Sequence, residues 1–463
     1  MKLEMIDLNI LNNYSNRLAY IYQDKSITYQ ELMDKSSEIC KYLKRQGTSP
    51  VIIYGHKSID MIILMFACLK AKRPYVPVDI FTPQKRMESI INMTQATLCV
   101  TTEKLPFSLS IECRDINHLN DLEPALEKEP SEVAYIIFTS GSTGIPKGVP
   151  ILRSNLKNFI DWISNITPLK DYKENMKVLN QASFSFDLSV ADIYYSLFNG
   201  HTLVAIDKKM QDDFNSMFEV IQKEQVNIIV GTPTFIKYCM LSEEFHQKNY
   251  PFLKCIYCCG EVLDVSLVKK IWTKFPDIEI INAYGPTEAT SAISAIKITK
   301  EMLDNTLPVG DMNNSATNIE VIDNEIVLSG PSVFQGYLNT EEKVTLYHTG
   351  DIGEIKDGKL YCYGRKDYQV KYNGYRLELK EIENVIKQIF PDADVCTVAK
   401  KNNLGQVKFI QAFIVMKNIS EEDVKEQLKK YLPSYMIPKK IIFLEQLPVN
   451  EHGKIDRGAL EKL

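Results

Sequence analysis

Apolar and polar positions alternate along the first third of the chain in two different rhythms. Tyr29 to Gln46 has the spacing of an amphipathic helix, and Val51 to Tyr54 is a short apolar run that predicts a buried strand. Ile59 to Ala71 predicts a second helix, and Tyr75-Val76-Pro77-Val78-Asp79 reads as the end of a strand. The rhythm recurs further on, with apolar strands predicted at Val178 to Ala182, Asn227 to Val230, Cys255 to Cys259 and Ile278 to Asn282, separated by helical stretches. Strands alternating with helices predict an α/β architecture with mostly parallel sheet. After about Asn305 the runs shorten. Ile319 to Ile322 and Glu325 to Ser329 predict a small β subdomain. Beyond Arg365 the pattern turns α+β, with a helix from Leu379 to Ile389, a strand near Phe409 to Val415 and a helix from Glu421 to Tyr431. A boundary at Arg365 to Asp367 divides the chain into a core of residues 1–365 and a C-terminal domain of residues 366–463.

Length agrees with that division, since 463 residues exceed what one hydrophobic core usually supports. A hydrophobic share of 45% and a charged share of 24% are those of an ordinary globular protein. The net charge of −5 gives no electrostatic reason to expect nucleic acid as the partner. The N-terminal stretch carries acids and lacks a signal-peptide apolar core, and the longest apolar run, Met61 to Leu69, is too short to span a bilayer. The ten cysteines form no regular framework. Cys255 and Cys258 make one C-x-x-C without the second ligand pair that a zinc site needs. Buried thiols in a reducing cytoplasm are therefore expected, in a protein acting as a monomer.

The chemistry begins at Tyr135 to Gly148, where an apolar strand runs into Thr139, Ser140, Gly141, Ser142, Thr143 and Gly144, followed by Lys147. Small residues let backbone N–H groups approach an anion, the hydroxyls add donors, and the lysine adds charge. A polyphosphate needs that combination, although an ordinary surface loop would share the composition. Gly148 stands where a Walker A loop demands Ser or Thr, so that motif is excluded.

Together with further segments, this loop resembles the phosphate-binding loop of the adenylate-forming superfamily, which includes acyl-CoA synthetases, luciferases and peptide-synthetase adenylation domains. The matching segments, in order, are Phe186 to Val190, Asn282 to Glu288, Gly330 to Leu338, Tyr347 to Asp351, Gly364 to Lys371, Leu432 to Pro438 and Asn450 to Arg457. The resemblance implies a large N-terminal region of α/β subdomains with a small β subdomain, then a small mobile α+β domain. It implies ATP as substrate and Mg²⁺ as cofactor. Thr139 to Gly144 and Lys147 would hold phosphates, and Glu261, Asn282, Ala283, Tyr284, Gly285, Pro286 and Thr287 would surround the nucleotide, Tyr284 stacking on adenine. Asp351 would accept the ribose hydroxyls with help from Arg365. Glu288 would help hold the metal, which suits a hard carboxylate. Asp367 matches the hinge, and Lys454 matches the catalytic lysine that neutralises charge building on the α-phosphate and the attacking carboxylate.

The same resemblance implies the acid. Members that activate α-amino acids carry an aspartate at the position of Asp187, where it pairs with the substrate ammonium; a helix cap is the other reading of that residue. Similarity is greatest to the D-alanine-activating branch, which charges a separate carrier protein for teichoic acid D-alanylation. Cys259 corresponds to a cysteine against the substrate side chain, with Ser291 and Lys454 also at the amino acid. Ala191, Ala283 and Ser291 depart from that branch's methionine, threonine and valine, trading bulk for space or polarity, and Tyr257 refills some of the volume. D-alanine is the first expectation and another small or polar amino acid the second; an acyl- or aryl-CoA ligase is the rival class. With no carrier domain after Asp456, the acceptor is expected to be the phosphopantetheine thiol of a separate carrier protein.

Overall fold

The computed structural model describes residues 6–45, 47–121, 130–141, 146–303, 306–366, 369–372, 374–402, 407–416, 419–449 and 455–463. These form two compact units. The first comprises residues 1–80, 94–137 and 149–364, and the second residues 81–93, 138–148 and 365–463.

An eight-stranded sheet organises the first unit. Its spatial order is Ser294–Lys297, Glu279–Tyr284, Cys255–Cys258, Ile228–Gly231, Lys177–Asn180, Thr202–Ala205, Leu18–Tyr22 and Lys25–Thr28. The inner pairs are parallel and both outer pairs antiparallel. Side chains alternate between its faces. Cys255, Tyr257 and Cys259 join one core cluster, while Ile256 and Cys258 join another. A second, six-stranded sheet runs Glu112–Asp115, Leu98–Thr101, Val51–Tyr54, Tyr75–Val78, Val133–Thr139, Lys147–Leu152. Against it lies helix Ile59–Ala71, apolar nearly all round and buried as such a helix must be. A five-stranded sheet from Gly310 to Arg365 is the expected β subdomain.

In the second unit, the hairpin Gln369–Tyr372 and Tyr375–Glu378 leads into helix Leu379–Ile389. A three-stranded sheet of Asp394–Lys401, Val407–Val415 and Lys440–Phe443 follows in space. Helix Leu379–Ile389 matches its predicted span, whereas the helix beginning at Glu421 ends at Leu428 rather than Tyr431. Cys255 and Cys258 are buried on their strand as expected, whereas Cys113 is exposed and Cys362 half-buried. No helix among the described residues is long and apolar enough to cross a membrane.

Candidate active site

Asp187 stands immediately before helix Leu188–Phe198 and makes no side-chain bond to that helix's N-terminus. Its Oδ2 instead accepts the Thr287 hydroxyl. Helix capping does not account for this carboxylate. The Thr287 hydroxyl, expected at the nucleotide, is engaged with the aspartate.

Thr287 belongs to the loop between the antiparallel strands Glu279–Tyr284 and Ser294–Lys297. Gly285 opens that loop because nothing larger fits: a Cβ there would lie 2.5 Å from the Ala292 Cα and 2.9 Å from the Ser291 carbonyl oxygen. At the far side of the loop, Thr290 and Ser291 both adopt left-handed backbone, with φ of 63° and 73°. The Thr290 hydroxyl anchors the turn by donating to the Ser332 carbonyl at 2.9 Å. Ser291 is 3% exposed, and its Oγ has no hydrogen-bond partner among the described residues. Tyr257, 1% exposed, also has a hydroxyl without a partner among the described residues, and burial pushes its ionisation well above the ordinary tyrosine range. Cys259, Ala191 and Ala283 are buried.

Tyr284 ends its strand buried, and its hydroxyl donates to Asp351 Oδ2 at 2.6 Å. Burial first, and the Asp351 charge second, hold that phenol protonated. Asn282 is buried and donates to the Pro308 carbonyl at 2.8 Å, with its Oδ1 unpartnered among the described residues. Pro286 immediately precedes the turn Thr287–Ala289. The Glu261 carboxylate accepts the Thr234 N–H at 2.9 Å, in the first turn of helix Pro233–Cys239.

Glu288 is 1% exposed and accepts the Tyr337 hydroxyl at 2.7 Å. No group of three or more His, Cys, Asp or Glu residues suited to a metal occurs among the described residues. One carboxylate is nevertheless what Mg²⁺ requires, because this ion keeps waters and takes its other ligands from substrate phosphates. The donor set fits. Tyr337 was not anticipated; its place in the segment Gly330 to Leu338 was the only signal.

The predicted phosphate loop falls in the second unit. Thr139 ends strand Val133–Thr139 and Lys147 opens strand Lys147–Leu152. Ser140 Oγ donates to the Arg376 carbonyl and accepts the Glu378 N–H, each at 2.9 Å. The Gly141 N–H donates to Glu381 Oε2 at 3.0 Å, and Glu381 Oε1 accepts Arg86 Nη1 at 2.8 Å. The loop thus offers a backbone donor to an anionic oxygen, the acceptor type that a phosphate presents. Arg365 closes strand Lys359–Arg365. Ser142, Thr143, Gly144, Asp367 and Lys454 lie outside the described residues.

Residues 9–338 match the AMP-binding enzyme family, and residues 381–454 match the AMP-binding enzyme C-terminal domain. The chain belongs to the AMP-binding enzyme family. It is an adenylate-forming ligase. Similar proteins include the D-alanine--D-alanyl carrier protein ligase of Listeria welshimeri, 38% identical over 96% of this chain and 95% of that one. The enzyme of the same name from Staphylococcus haemolyticus is 36% identical over 97% of each chain. Among solved structures, the Vibrio cholerae adenylation domain AlmE in complex with glycyl-adenosine-5'-phosphate aligns with a TM-score of 0.83. Its identity is 24%, over 99% of this chain and 98% of that one. The o-succinylbenzoate CoA synthetase of Bacillus subtilis aligns with a TM-score of 0.82 and 20% identity, over 98% of both chains, a likeness of fold alone.

A buried polar cluster behind Asp187 went unread in the sequence. Lys57 is 0% exposed. Its Nζ donates to Asn180 Oδ1 at 2.5 Å and to the Ala182 carbonyl, and lies 4.6 Å from the centre of the Phe184 ring. Asn180 Nδ2 in turn donates to both carboxylate oxygens of Asp192, at 3.0 and 2.9 Å. Burial pulls the Lys57 ammonium down to about 8 and pushes the Asp192 carboxyl up to about 8, with each charge opposing the other's shift. The available signal was the polar triplet His56-Lys57-Ser58 between an apolar strand and an apolar helix.

Proposed function

We propose that this ligase adenylates a small α-amino acid, D-alanine foremost, and passes the aminoacyl group to the phosphopantetheine thiol of a separate carrier protein. Asp187 carries the reading. Its carboxylate stands at a helix start without capping the helix and is steadied by Thr287. An α-ammonium beside this half-buried carboxylate would form a charge-assisted hydrogen bond with it. The names borne by relatives at 36–38% identity support D-alanine and a carrier as partners.

In the first half-reaction the substrate carboxylate attacks the α-phosphate of ATP, giving aminoacyl adenylate and pyrophosphate. Lys454 would neutralise the charge that builds there. Tyr284 and Asp351 would hold the nucleoside, with Arg365 beside the ribose, and the loop from Thr139 to Lys147 the phosphates. Glu288 would bind Mg²⁺, which supplies charge neutralisation on the phosphates. In the second half-reaction the thiol attacks the acyl carbon, forming the thioester and releasing AMP. One site serves both steps, so the domain of residues 366–463 would turn about Asp367 between them. The expected setting is the cytoplasm, where ATP and carriers meet.

A second reading of the side chain is favoured by one observation. Among the described residues Ser291 Oγ and Tyr257 Oη are buried without partners, and a hydroxyl-bearing substrate such as serine would offer a partner to such a group.

ATP–pyrophosphate exchange across D- and L-amino acids tests both. D-alanine should drive exchange, and Asp187→Asn should raise its KM at least a hundredfold with the ATP KM nearly unchanged. A maximum with serine would select the second reading, whereas exchange driven only by fatty or aryl acids would reject both.

A further inference from the structure

We infer that Lys57 is a positioning residue for the amino-acid site, fixing the segment that delivers Asp187. This rests on the amino-acid reading above.

The segment in question runs from the end of strand Lys177–Asn180 to the start of helix Leu188–Phe198. Lys57 holds its beginning through the Ala182 carbonyl, and its ammonium sits on the Phe184 ring at 4.6 Å. The turn then closes on itself, with the Phe186 N–H donating to the Ser183 carbonyl at 2.9 Å and the Ser189 hydroxyl to the Phe186 carbonyl at 2.7 Å. Asp187 follows at once. The far side is held too, because Asn180 links Lys57 to Asp192 in the second turn of the same helix. Lys57 itself has no slack: Tyr20 Oη donates to its carbonyl at 2.7 Å. Lys57 Nζ thereby holds the strand end and the start of the turn directly, and the helix through Asn180 and Asp192.

An ammonium and a carboxylate buried together are weak contributors to stability, since desolvation offsets most of their attraction. A hydrophobic pair of similar volume would hold a core as well. What the ionic version adds is direction: the Nζ protons demand oxygens at set places, and two of these places frame the Asp187 turn. Asp79 fastens the same turn independently, accepting the Ser183 hydroxyl while paired with His56 at 2.8 Å.

The test is steady-state exchange on the full-length enzyme carrying Lys57→Met, a neutral side chain of similar length. The amino-acid KM should rise at least tenfold, while the ATP KM stays within twofold and thermal unfolding remains cooperative. Because Lys57→Met leaves Asp192 without its counterion, the double variant Lys57→Met/Asp192→Asn is measured beside it. It should regain thermal stability and keep the raised amino-acid KM. Recovery of the wild-type amino-acid KM in the folded double variant would assign Lys57 to stability and overturn the inference. So would a lowered melting temperature with KM unchanged in the single variant. Wild-type enzyme that exchanges with no amino acid would instead overturn the underlying reading of Asp187, and the role of Lys57 with it.

Discussion

A carboxylate at the start of a helix normally accepts that helix's own N–H groups, as Asp207, Asp213 and Asp264 do elsewhere in this chain. Asp187 does not, and the contrast supports its proposed role as a binding group. Residue identity also sets the protein's acid response. Burial, with the Arg17 charge adding to it, lowers the ionisation of His201 to about 4, and among the described residues its Nε2 has no partner to receive a proton's hydrogen bond. The folded state therefore binds fewer protons than the unfolded chain between about pH 4 and 6.5. The stability this confers is complete above pH 6.5 and is lost as pH falls through that window, by roughly 3 kcal/mol at pH 4. Urea midpoints taken from pH 7 to 4.5 should fall less steeply in His201→Gln than in the wild-type protein, whatever the variant's stability at pH 7.

Elements place the groups that residues supply. The ends of the parallel strands Cys255–Cys258 and Glu279–Tyr284 bring Cys259 and Tyr284 to the same edge of the eight-stranded sheet, where ligands in α/β folds gather. The loop from Gly285 to Ile293 then carries Thr287, Glu288 and Ser291 in one excursion. Its two left-handed residues are strained, and strain of this kind persists where surrounding bonds over-determine it. In the second unit, helix Leu379–Ile389 buries Glu381, at 1% exposure, against Arg86 and the Gly141 N–H. Arg86→Ala leaves that carboxylate without its counter-charge, and breaking such a buried pair costs about 3–5 kcal/mol. Calorimetry should show a melting temperature lowered by several degrees; a shift below one degree would show that the pair is not structural.

At the scale of the whole molecule, two half-reactions share one set of groups, and Lys454 is assigned to the first. Lys454→Ala should abolish amino-acid-dependent pyrophosphate exchange while circular dichroism and melting stay those of the wild type. Transfer from a supplied aminoacyl adenylate to a carrier thiol should persist. Normal exchange in that variant would remove Lys454 from the mechanism. Much of this was legible in the chain itself. The periods of the apolar pattern determined the α/β order, the β subdomain and the helix Leu379–Ile389, because burial of one face leaves a trace every 2.0 or 3.6 residues. The spacing of Gly, Ser, Thr and Lys from residue 139 suggested an anion site, since small residues and donors are local properties. Neighbourhoods between distant segments left no such trace. That Thr287 meets Asp187, that Tyr337 meets Glu288, and that Lys57 reaches Ala182 and, through Asn180, Asp192 was decided by tertiary structure alone. These contacts join residues from 12 to 125 positions apart, and only the packing of strands and loops brings such groups within hydrogen-bond reach.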